Sequence, residues 1–146
     1  MNPTVELIFT IVGGALVLLT VYGALKLDRR LFLSGLCFFS ILPLIGESMG
    51  YKADKAPIHV LVIFVFLIQI VLALPNKIVY GADNLAATKL SGKIAIALLI
   101  INIAGAIFIF ALNAGVALQF GYYHVAFSLA VLYLLIKRSI GGAWIK

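Results

Sequence analysis

Charge is what this chain has least of. Its 146 residues include five Asp and Glu and eleven Lys and Arg, a charged share of 11%, against about a quarter in soluble domains. With 64% of residues hydrophobic, a water-soluble fold could not cover its own core, and the composition indicates a membrane protein of a single domain. Cysteine is nearly absent. Cys37 is alone, which excludes an internal disulfide and any paired-thiol metal site. It stands in an apolar run, where a thiol packs like a small hydrophobe. The sequence also lacks a Gly-x-x-x-x-Gly-Lys-Ser/Thr loop, a Gly-x-Ser-x-Gly elbow, a His-Glu-x-x-His pair and a Cys-x-x-Cys pair, the local signatures of several large enzyme classes. No internal repeat appears, so an inverted-repeat transporter has no support. The N-terminus has no basic n-region or small-residue cleavage site, so the first apolar run is expected to be a retained span.

What the chain does have is long apolar runs. Between Lys93 and Lys137 lie 43 residues without a single charge. As one helix this stretch would measure about 65 Å, twice a bilayer core of about 30 Å. It must fold back on itself, and the polar or helix-weakening residues Asn113, Gly115, Gln119 and Gly121 mark the turn. Reading the other runs in the same way gives an all-α integral membrane protein of five transmembrane helices, residues 1–146 forming one domain. The spans fall at about 7–25, 31–50, 58–74, 94–112 and 122–136. Asn2 is placed to cap the first helix, and Pro3 and Pro57 suit first-turn positions. Pro43 lies inside the second span and removes one backbone hydrogen bond, which predicts a kink. Asp83 could cap a short helix over 84–90, either lying at the interface or opening the fourth span early. Trp144 sits where an interfacial anchor would be.

Five spans put the termini on opposite sides, and the bases are distributed accordingly. Lys26, Arg29, Arg30, Lys77, Lys89, Lys93, Lys137, Arg138 and Lys146 fall on one side, with only Lys52 and Lys55 on the other. The positive-inside rule then places the N-terminus outside and the C-terminus in the cytoplasm, in the plasma membrane. The same rule accounts for the net charge of +6 without nucleic acid, since no polar segment interleaves bases with aromatic residues.

Polar side chains at membrane depth are costly and are the natural candidates for function. On the outer side this topology gathers Glu47, His59 and His124, with Tyr51 and Tyr123 at a similar height. A Glu with two His residues could relay protons or act as an acid/base pair. No ligand spacing supports a metal, and no cofactor is expected. The plainer reading is that histidines at span ends meet water and tyrosines anchor in the headgroups. On the inner side Gln69 and Asn102 reach similar heights, and an amide–amide hydrogen bond between the third and fourth spans is their simplest use. Phe108, Phe110, Phe120 and Phe127 read as packing or lipid-facing groups. The expected function is therefore non-catalytic: binding a lipidic or small-molecule ligand, or supporting a larger membrane complex, as a homo-oligomer or beside another chain. The alternative is a membrane-embedded enzyme or proton-coupled carrier built on the outer Glu/His cluster.

Overall fold

The computed structural model describes residues 3–74, 84–111 and 118–141, and all of its elements are helices. They are α1 (Pro3–Leu25), α2 (Arg29–Asp54), α3 (Pro57–Ala73), α4 (Asn84–Ala111) and α5 (Leu118–Gly141). Helix starts follow local chemistry. Pro3 and Pro57 each open a helix, where a missing amide hydrogen removes nothing. Asp28 caps α2 by accepting a hydrogen bond from the Leu31 amide at 3.1 Å. The α1–α2 and α2–α3 turns each contain a non-glycine residue with positive φ, Leu27 (56°) and Lys55 (60°). Lys55 ends α2 with its amide donating to the Tyr51 carbonyl, an αL stop usually made by glycine.

Four helices have stretches long and apolar enough to cross a bilayer, and α3, at 17 residues, is a shorter apolar helix. Large apolar side chains stand exposed on every helix, among them Leu18, Phe38, Phe64, Ile107 and Leu129. In water such a surface would aggregate; in lipid it is the expected exterior. The protein is a small, multi-pass, helical membrane protein.

The helices close into a ring. α1 packs on α2, α2 on α3, α4 on α5, and α5 back on α1, while α3 and α4 meet over only a few residues. The two ends of this ring differ. Around the α1–α2 turn the interior is filled by Phe32, Leu33, Leu36, Ala73, Leu98, Val131 and Leu134, all nearly inaccessible. Phe39 and Phe127 cap that core with an edge-to-face contact, ring centroids 4.6 Å apart. Toward the α2–α3 turn the interior is hollow.

Some sequence expectations are refined. The stretch 84–90 is not a separate helix: it is the start of α4. α2 runs through Pro43 as one helix. Gln119 and Gly121, read as turn residues, lie inside α5. Their composition suggested a turn, but both make tertiary contacts. Gln119 donates to Thr10 Oγ1 at 3.0 Å, and Gly121 leaves room for the Phe110 ring, which a Cβ would meet at 2.6 Å. Asn2, Asp83, Asn113, Gly115 and Trp144 lie outside the described residues.

Candidate functional site

The divide between the filled and hollow ends is a layer of buried polar side chains contributed by four helices. Gln69 and Asn102 are 0% exposed, as is Ser40, and His124 is 4% exposed. Ser40 Oγ donates to the Leu36 carbonyl at 2.7 Å and accepts from Gln69 Nε2 at 2.9 Å. Asn102 Nδ2 donates to the Leu98 carbonyl at 2.8 Å and, at 3.4 Å, to Gln69 Oε1. His124 Nδ1 lies 2.9 Å from Asn102 Oδ1. No buried side-chain nitrogen or oxygen lacks a partner among the described residues, as low-dielectric burial requires.

His124 therefore belongs to the layer of Gln69 and Asn102 and not to the Glu47–His59 level at which its sequence position suggested it. α5 starts at Leu118, so His124 stands almost two turns in rather than at the helix mouth. Its ring is flanked by Phe39, edge-to-face at 5.9 Å, and by Phe66 at 6.0 Å. Gly105 lets α4 approach the imidazole closely: a Cβ there would lie 2.9–3.0 Å from Cε1, Nδ1 and Cγ.

Above this layer lies a cavity of ≈ 810 Å³, within the range of small-molecule sites. Its walls are apolar, with Phe9 from α1, Phe39 and Pro43 from α2, Val62 and Phe66 from α3, Phe108 and Ile109 from α4, and Phe120 from α5. The ionisable side chains on its lining are Glu6, Glu47, His59 and His124. His124 lies at the floor, and the other three lie at the opposite, hollow end of the bundle.

That upper end has its own geometry. His59 Nδ1 lies 2.5 Å from Glu47 Oε2, and Nε2 lies 3.2 Å from the Asp54 carboxylate. Ionised carboxylates only accept, so with both ionised the ring that satisfies them donates from both nitrogens, as an imidazolium. Asp54, at the solvent-exposed end of α2 beyond its apolar stretch, has its carboxyl held below the usual value, first by the Ala56 amide and then by His59. Gly50 seats the His59 ring, which a Cβ would approach to 2.6 Å. The ring thus bridges an exposed carboxylate, Asp54 at 59% side-chain exposure, and a cavity carboxylate, Glu47 at 22%.

The two tyrosines stand apart from this site. Tyr123 donates to the Thr10 carbonyl at 2.8 Å and braces α5 against α1. Tyr51 carries the Lys55 ammonium 5.1 Å over its ring. Neither lines the cavity. Glu6 does, and sequence reasoning missed it because a first-turn acid is already explained by the helix dipole. Its signal was its height, since the topology puts it at the level of Glu47. Among the described residues, no group of three or more His, Cys, Asp and Glu side chains is arranged to hold a metal ion.

Compared with protein-family models, with curated proteins and with solved structures, the chain finds no match.

Proposed function

We propose that the protein binds an elongated, mostly apolar small molecule or lipid within the bilayer, in the cavity between the buried polar layer and the Glu47–His59 pair. The observation that carries this reading is the uneven filling of the ring: a packed core at one end, and ≈ 810 Å³ of apolar-walled space with polar groups at both its ends at the other. Helix bundles place ligand sites between helices in this manner, with a few polar groups fixing orientation. The sparse contact between α3 and α4 provides a lateral way in from lipid.

The proposed setting is the plasma membrane, crossed five times with the N-terminus outside. α3, with 17 residues, is about 26 Å long, enough for a short span. Nine of eleven bases fall on the cytoplasmic side of this arrangement. The cavity then lies in the outer half. A reporter active only in the cytoplasm is expected to work when fused after Lys146 and to fail when inserted at Asp54; the reverse pattern would overturn the orientation.

The ligand reading is tested by extracting the purified protein, held in a mild detergent, with organic solvent and identifying the contents by mass spectrometry. One compound is expected near equimolar ratio in the wild type. It should be absent from a Val62→Trp variant that melts at a similar temperature but has the cavity wall filled. The same mixed lipids at the same amount in both samples would sink the proposal.

A second reading, a proton-coupled carrier or a membrane-embedded enzyme, draws on the Asp54–His59–Glu47 series. An imidazole between two carboxylates can pass a proton from solvent to the cavity. It requires pH-driven movement or turnover of the bound compound in proteoliposomes that Glu47→Gln abolishes; unchanged rates in that variant exclude it.

A further inference from the structure

The direction of every hydrogen bond in the buried layer is dictated from its ends. Backbone carbonyls can only accept. The Leu36 carbonyl therefore commits the Ser40 hydroxyl proton, so Ser40 Oγ can only accept from Gln69, which turns the Gln69 carbonyl oxygen toward Asn102. The Leu98 carbonyl independently requires the NH₂ of Asn102 on its side, which turns Asn102 Oδ1 toward His124. Two separate anchors thus agree, and both make Asn102 Oδ1 an acceptor. The proton on His124 must then reside on Nδ1.

The other ring nitrogen has no such commitment. Among the described residues no carboxylate touches the His124 ring, which meets Asn102, Phe39, Phe66 and Gly105, and an unpaired buried cation would be strongly disfavoured. The ring is a neutral imidazole with a lone pair on Nε2. Among the described residues no hydrogen bond reaches Nε2, yet none of their buried side-chain nitrogens lacks a partner. Nε2 therefore opens onto the cavity that His124 lines.

We propose that the cavity is selective for a neutral amphiphile with a hydroxyl end, a phenol or an alcohol, that donates to His124 Nε2. The proposal rests on the cavity being a ligand site and adds which end group it takes. The floor presents an acceptor and no donor among the described residues, because Gln69 and Asn102 are 0% exposed and neither lines the cavity. An ether, a ketone or a carboxylate brings only acceptors and would leave Nε2 unmatched. An ammonium could donate, but it would bring a charge to the end of the cavity away from Glu6 and Glu47.

The test uses a matched pair of probes, 4-octylphenol and its methyl ether 4-octylanisole, added to the full chain in lipid nanodiscs at equal mole fraction in the lipid. The protein is labelled with ¹⁵N at histidine. There are only two histidines, and a His59→Gln sample assigns the second ring. Without probe, His124 is expected to show a protonated Nδ1 and an unprotonated Nε2. 4-Octylphenol should move the Nε2 resonance saturably and bind about tenfold more tightly than 4-octylanisole. An unprotonated Nδ1 would overturn the tautomer and with it the proposal. Equal binding of the two probes would overturn the role of His124 while leaving the cavity as a ligand site. If neither probe perturbs the His124 ring at saturating lipid content, both the hydroxyl proposal and the ligand reading fail for amphiphiles of this size.

Discussion

Asn102→Leu is expected to destabilise the protein by about 2–4 kcal/mol, measured by denaturing-detergent titration in micelles or by thermal unfolding in nanodiscs. The side chain makes three hydrogen bonds, to the Leu98 carbonyl, Gln69 Oε1 and His124 Nδ1. The Leu98 carbonyl keeps its own helical bond, so its loss matters little. The His124 N–H and the Gln69 carbonyl oxygen are left in a dry interior, each at about 1–3 kcal/mol. The total sits below a simple sum because residues unfolded within the membrane also find partners. Gln69→Leu is the control, with an expected cost of about 1 kcal/mol. Ser40 still donates to Leu36, and Asn102 still donates to Leu98 and accepts from His124. Equal costs for the two variants would show that the layer is not anchored as its geometry indicates.

Gly105→Ala is expected to cost about 1–3 kcal/mol and to disturb His124 without touching its chemistry. The added methyl would lie 2.9–3.0 Å from three atoms of the imidazole. The ring cannot easily retreat, being held by Asn102 and flanked by two aromatic rings. Ala is the better helix former by about 1 kcal/mol, so the net loss is smaller than the steric cost. The diagnostic readout is the same histidine ¹⁵N spectrum: His124 should shift while His59, at the far end of the cavity, should not. Ala106, one position along and buried, serves for comparison: Ala106→Gly should cost about 2 kcal/mol, from helix propensity and one lost buried methyl, and leave His124 in place.

The helices themselves were legible because bilayer thickness and charge placement act on whole segments. Runs long enough to span, ended by Pro, Lys and Arg, allow few arrangements; each of the helices α1 to α5 overlies one of the runs read from sequence, and four of them are long and apolar enough to cross a bilayer. What sequence could not supply was depth within a run. His124 was assigned to the outer layer on the assumption that the hairpin turn extended through Gly121. Two residues whose types favour turns, Gln119 and Gly121, instead serve contacts to Thr10 and Phe110 inside a helix. That shift of about one turn carries His124 down toward Asn102. The pairing of Gln69 with Asn102 was within reach because equal heights on adjoining spans suffice to suggest it. The contribution of Ser40 was not, since a serine that bonds to its own preceding turn gives no sign that it also accepts from another helix. The hollow end was not legible either. Phe108 and Phe120 read as packing or lipid-facing groups in sequence, and only the placement of all five helices reveals that they border empty space.

If the cavity takes a ligand from the bilayer, as proposed, its apolar walls have a consequence for how discrimination must work. A compound dissolved in acyl chains has already left water, and a wall of Phe, Val and Ile is nearly the same solvent as the tails it came from. Transfer into the bundle therefore gains little from dehydration, however large the contact area. Length and girth decide which molecules fit. Preference among those that fit is left to a few polar atoms at the two ends of a channel whose middle is chemically indifferent.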